Sequence, residues 1–190
     1  MTTSDRSSNG HSEVICVFGS SQAPEGSVAY EEARLTGSLL AREGYRVCCG
    51  GYGGTMEGVC RGAKEAGGAT IGVTTAWFSQ LSPNRWVDEE IRTDTYVERL
   101  CALIDKGAAY LALQGGVGTL TEISLVWSLL QTRSVPPRPL VLLHNPWQGL
   151  IDLAGESFIL RTGELDLAHV ASTPQDAVRL ISALLRAGHA

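Results

Sequence analysis

Residues 108–131 read AAYLALQGGVGTLTEISLVWSLLQ, an apolar run that enters a glycine turn and leaves as an amphipathic helix. Ala109 to Leu113 has the continuous apolar character of a strand buried on both faces of a parallel sheet. Gly115, Gly116 and Gly118 follow, and glycines this dense let a ligand approach main-chain atoms without meeting a Cβ. From Gly118 onward Leu120, Ile123, Val126, Trp127 and Leu130 recur at helical spacing. The free N–H groups of that helix's first turn point back into the loop, which suits a phosphate. Val117 lies in the same run and Thr119 adds a hydroxyl. Glu122, about one turn further in, carries a carboxylate that phosphate binding alone does not require.

The same alternation of strand, glycine loop and helix extends to both sides. Val14 to Phe18 reads as a buried strand, with Gly19-Ser20-Ser21 at its carboxyl end, where open α/β sheets hold ligands. A plain turn would read the same way, and it is the second glycine loop that favours a ligand-facing role. Val28 to Arg42 has helical spacing and closes on Gly44. Arg46 to Cys49 is a strand running into Gly50-Gly51-Tyr52-Gly53-Gly54-Thr55-Met56, from which a helix begins at about Thr55. The glycine spacing is not the dinucleotide fingerprint, and no Gly-Lys-Ser/Thr is present, which argues against an ATPase.

Thr70 to Val73 makes a third strand, and Thr74 to Asp88 a long connection whose Trp77, Phe78 and Trp86 either cover a base or a subunit neighbour or pack on their own domain. Glu90 to Arg92 is a short strand. Tyr96 to Lys106 is a helix with Val97, Leu100, Cys101 and Ile104 on its apolar side, which leaves Arg99 off that stripe. Leu140 to Leu143, ended by His144, and Ala168 to Ala171 are further strands. Gly149 to Leu160 and the stretch from Pro174 to about Leu185, with Thr173 as N-cap, are helices. This alternation predicts a Rossmann-like three-layer α/β/α fold on a mainly parallel sheet with right-handed crossovers.

With 190 residues, 44% of them hydrophobic and 18% charged, residues 13–190 suffice for a single domain, preceded by a disordered polar tail over 1–12. A net charge of −5 argues against a nucleic-acid-coating protein, and no apolar run is long enough to span a membrane, so a cytoplasmic location is expected. The five cysteines are odd in number and lie mainly in strands and helices, which favours free buried thiols over disulfides or zinc; no metal is expected.

On these residues the chain resembles the LONELY GUY (LOG) family of cytokinin riboside 5′-monophosphate phosphoribohydrolases, over Val14 to about Ser172. The family motif Pro-Gly-Gly-x-Gly-Thr-x-x-Glu is matched by Gln114 to Glu122 in all but its first position. The family's upstream arginine falls on Arg99, and its first glycine loop on Gly50 to Met56. Gln114, Cys49, Glu57 and Leu100 depart from the usual proline, two glycines and lysine. The resemblance implies hydrolysis of the N-glycosidic bond of a purine nucleoside 5′-monophosphate, AMP or an N6-substituted AMP, without a cofactor. Arg99 and Glu122 would form the catalytic pair. Gly19, Ser20, Gly53, Gly54, Met56, Gly115, Gly116, Val117, Gly118 and Thr119 would bind the nucleotide. A homodimer is implied as well, with no nucleic-acid or membrane partner. A non-catalytic carrier of a nucleotide or of molybdenum cofactor on the same fold is the alternative. Lysine decarboxylation is disfavoured, because Lys64 and Lys106 are the only lysines and neither has a site-like setting.

Overall fold

The computed structural model describes residues 13–143 and 145–188; the predicted tail over 1–12 and the strand-ending His144 lie outside the described residues. Seven parallel strands form one sheet in the order β4-β3-β2-β1-β5-β6-β7. They are β1 (Val14–Phe18), β2 (Arg46–Cys49), β3 (Thr70–Thr75), β4 (Glu89–Thr93), β5 (Ala109–Ala112), β6 (Leu140–Leu143) and β7 (Ala168–Ala171). The helices are α1 (Val28–Arg42), α2 (Thr55–Glu65), α3 (Tyr96–Lys106), α4 (Val117–Gln131), α5 (Asn145–Ser157) and α6 (Pro174–Gly188).

Three layers follow from the strand pleat. Successive side chains point to opposite faces, so a strand apolar at every position feeds two cores. Ile15 and Val17 meet α1, α2 and α6 on one face. Cys16 and Phe18 meet α3, α4 and α5 on the other. The fold is therefore the Rossmann-like sandwich expected, with every strand pair parallel.

Local chemistry sets the helix starts. Ser27 accepts the Tyr30 N–H, Thr95 and Glu98 form a reciprocal capping box, and Thr173 accepts the Asp176 N–H ahead of Pro174. Helix α5 begins at Asn145, four positions before Gly149, because Pro146 supplies a backbone already set for a first helical turn. It ends at Ser157, short of Leu160. The long connection is partly regular too, since β3 continues to Thr75 and Ala76–Phe78 forms a 3-10 turn.

Helices α1 and α2 pack backbone to backbone through Gly37, Gly58 and Gly62. A Cβ on Gly62 would lie 2.6 Å from the Arg34 carbonyl carbon, and one on Gly37 would lie 2.8 Å from that of Val59. This close crossing fixes α2, and with it the glycine loop at its amino end.

Candidate active site

Strands β1 and β5 are neighbours, and the chain leaves them toward opposite edges of the sheet. Such a reversal opens a crevice at the carboxyl ends of the two strands. A cavity of about 400 Å³ lies there, lined by Gly19 and Ser20 after β1, Gly116 before α4 and Gly118, Thr119 and Glu122 within it, Tyr52 and Met56 after β2, and Arg99 of α3.

Helix α4 enters the cavity with Gly116 as N-cap and no side chain capping it. Its first-turn N–H groups have no intrahelical acceptor, so they present partial positive charge to the cavity. Thr119, only 2% exposed, has a buried hydroxyl oxygen without a hydrogen-bond partner. A buried hydroxyl without a partner is costly, and Thr119 is a residue of the cavity wall beside the uncapped amides. Gly115 has a structural part in this: a Cβ there would overlap the Thr119 side chain. The second helix terminus is closed instead, since the Thr55 N–H donates to the Ser20 carbonyl at 2.8 Å.

One turn into α4, Glu122 shares the inward face with Thr119 and is 7% exposed. Arg99 is 5% exposed and approaches it from α3, Nη1 to Oε1 3.7 Å, longer than a direct charge-assisted hydrogen bond. Burial pushes the Glu122 carboxyl up to about 7, and the nearby guanidinium draws it part of the way back. Arg99 is itself fixed, because its Nε–H donates to the Val73 carbonyl at 2.8 Å. Gly50 makes room for it: a Cβ there would overlap Nη2 and stand 2.6 Å from the Met56 sulfur.

The helix face that carries Arg99 differs from the expected one. Arg99, Leu100, Leu103 and Ile104 are buried, whereas Val97 is 67% exposed and Cys101 is exposed. In the first turn of α3, Tyr96 and Arg99 line the cavity, so its inward positions meet that cavity rather than the core. The Cys101 thiol is accordingly not buried; Cys16, Cys48, Cys49 and Cys60 are free and buried.

Within 12–135 the sequence matches the model of the SLOG cluster4 family. The chain belongs to that family. Among curated relatives, a Mycobacterium tuberculosis protein named cytokinin riboside 5′-monophosphate phosphoribohydrolase is 29% identical over 164 residues, covering 84% of this chain and 83% of the relative. Among solved structures, the molybdenum cofactor binding protein of Rippkaea orientalis superposes with a TM-score of 0.75 at 26% identity, covering 92% of this chain and 98% of that one. The molybdenum cofactor carrier protein of Chlamydomonas reinhardtii gives 0.71 at 26% identity, with 92% and 99% covered. Proteins named as cofactor carriers thus share this fold, and a protein named as an enzyme is similar in sequence.

The site residues expected from the sequence divide in this chain. Gly19, Ser20, Met56, Arg99, Gly116, Gly118, Thr119 and Glu122 converge on the cavity. Gly53, Gly54, Gly115 and Val117 do not line it: Gly54 sits at φ +68° against the Ser20 and Ser21 backbone, and the Val117 side chain is 80% exposed. The side chain of Val117 points to solvent, although its N–H belongs to the first turn of α4. Ser21, of the turn read as ligand-facing, lines the cavity too, whereas the sequence reading missed Tyr52, Leu81, Tyr96 and Gln22, which also line it. Phe78 was one of the aromatics with two readings, and it takes the ligand-facing one, while Trp77 is exposed and Trp86 packs on the core, flanked by Arg61 and Arg85. The only signal for Tyr52 was a large aromatic among glycines.

Proposed function

We propose that this protein hydrolyses the N-glycosidic bond of a purine nucleoside 5′-monophosphate, AMP or an N6-substituted AMP, giving free base and ribose 5-phosphate. One observation carries the reading: a buried Glu122–Arg99 pair lines the same cavity as the uncapped start of α4, whose Thr119 keeps a buried hydroxyl without a partner. The amides and the hydroxyl would hold the 5′-phosphate, so that binding energy remote from the bond positions the anomeric carbon. As the C1′–N bond breaks, positive charge builds on the ribose. An ionised Glu122 stabilises that charge or orients the attacking water, and its low-polarity surroundings strengthen the effect. Arg99 opposes the effect of burial, so the ionised carboxylate becomes available from about pH 7 upward. Incubation with AMP or an N6-substituted AMP should release base and ribose 5-phosphate in equal amounts. Folded protein that releases neither rejects the proposal.

The second reading, a non-catalytic carrier, draws on the extensive overlap with molybdenum cofactor binding proteins. The phosphate cradle serves both. They separate on recovery of the ligand, which a carrier returns unaltered and a hydrolase does not.

Thr119→Val tests the cradle without touching Glu122. It retains the shape and removes the hydroxyl, so affinity for ribose 5-phosphate should fall about tenfold, the loss of one hydrogen bond to a charged group. Isothermal titration measures it, and unchanged affinity would place the phosphate elsewhere.

We also propose a homodimer, supported by α4. This helix is apolar on most of its circumference, yet Leu120, Leu125, Trp127 and Leu129 are only partly buried, and Leu153, Phe158 and Ile159 are exposed nearby. Helices apolar on all sides are normally enclosed. A second copy, presenting the same face across a two-fold axis, would enclose this one. Ile159→Glu should then halve the mass found by light scattering, whereas a wild-type monomer at micromolar concentration would rule the dimer out. No described helix is long and apolar enough to cross a membrane. With four free buried thiols, this is compatible with the cytoplasmic location we favour.

A further inference from the structure

The ring of Tyr52 lies in the cavity wall, 5% exposed, between Gly51 and Gly53. The Arg99 guanidinium carbon is 5.6 Å from the ring centroid, within cation–π range. On its other side the ring meets Phe78 edge-on at 5.8 Å, and Phe78 in turn meets Tyr96 at 6.0 Å. Its hydroxyl accepts the Thr75 N–H at 3.0 Å, and Thr75 caps the 3-10 turn that carries Phe78. Its carbonyl and that of Gly51 accept from the Asn84 amide, at 2.9 and 3.1 Å. Few side chains could satisfy all these demands. A ring is needed for the guanidinium, a hydroxyl for the connector, and neighbouring glycines leave room for both.

We propose that Tyr52 is a positioning residue: its ring holds Arg99 against Glu122, and its hydroxyl ties the glycine loop to the connector that carries Phe78 into the substrate cavity. The catalytic part of this rests on the proposed hydrolase reading; the geometric part does not. Removal of the ring leaves Nε on the Val73 carbonyl but lets the Nη1 end of the guanidinium swing away from Glu122, whereas removal of the hydroxyl alone loosens the Phe78 wall and leaves the charge pair in place. The groups facing the Glu122 carboxyl are Arg99 from α3 and, more distantly, the Cys49 thiol at the end of β2. Arg99 is the cation among these, so its departure has a defined sign.

The test compares Tyr52→Phe with Tyr52→Leu by two readouts. Carbon-13 NMR of Glu122, which requires no turnover, should show the carboxyl titrating about half a pH unit or more higher in the leucine variant, and unmoved in the phenylalanine variant. With AMP, Tyr52→Leu should lower kcat by about 10- to 100-fold, as expected when a catalytic group is misplaced. Tyr52→Phe should mainly raise KM. If Tyr52→Leu fails to fold, Tyr52→Met, with comparable bulk and no aromatic face, carries the same expectation. An unchanged Glu122 titration in the folded ring-less variant overturns the proposal. Inactive wild-type protein whose Glu122 nevertheless responds to ring removal sinks the hydrolase reading and retains the positioning role.

Discussion

Glu122→Gln is expected to lower kcat/KM for AMP by about 10³-fold, with ribose 5-phosphate affinity nearly unchanged. Glutamine keeps the shape and cannot carry the negative charge that the ribose cation calls for. The wild-type profile should reveal the same group. Because the carboxyl of the free protein titrates at about 7, kcat/KM should rise with pH through that value and level off above it. The substrate phosphate completes its own ionisation near pH ~6, so the two limbs are separable. A profile already flat at pH 6, or a glutamine variant with full activity, would remove Glu122 from the chemistry. Stability should move the opposite way. The folded-state carboxyl is raised from 4.5 to about 7, so between those values the folded protein keeps a proton that the unfolded chain releases. Stability then falls as pH rises across that window and is flat above it. Melting temperatures of wild type and Glu122→Gln should accordingly diverge between pH 5 and about 7, the variant lacking this loss.

Gly62→Ala is expected to destabilise the fold by about 3 kcal/mol or more, at the upper end of overpacking effects. The added methyl would meet the Arg34 backbone, its carbonyl carbon at 2.6 Å and Cα at 3.0 Å, and neither can rotate away as a side-chain tip could. Relief requires α1 and α2 to separate. Since the N-cap of α2, Gly54, sits against the Ser20 and Ser21 backbone, that separation would also displace the loop beneath Arg99. Urea unfolding measures the loss. A midpoint within experimental error of wild type would show that the two helices do not need their close approach. Gly116→Ala, which meets open space, is the control at a glycine of the cavity itself.

The sheet and the motif-borne part of the cavity were legible in the chain because both are written in local patterns. A parallel strand buried on two faces is apolar at every position, as in Leu140 to Leu143, and a phosphate-binding turn places its glycines and threonine within five residues. Arg99 was visible through its motif, but its burial was not. A helical period assigned Val97 to the inward face because hydrophobicity was the only guide to what lies inside, whereas in the fold that end of α3 turns Tyr96 and Arg99 to the cavity and leaves Val97 exposed. Tyr52, Phe78 and Tyr96 sit on three separate segments, and no pattern along the chain indicates that their rings touch.

By itself the sequence determined the alternation of strands and helices, the α4 loop with its threonine and carboxylate, and the pairing of that loop with an upstream arginine. The tertiary structure decided the rest: that α4 enters the cavity uncapped, that Glu122 is buried deeply enough to hold its proton to about neutrality, and that an aromatic ring stands beside the guanidinium. The division has one cause. Backbone propensity and apolar period act over a few neighbouring residues, while desolvation and charge pairing depend on which distant segments the folded sheet brings within a few ångströms.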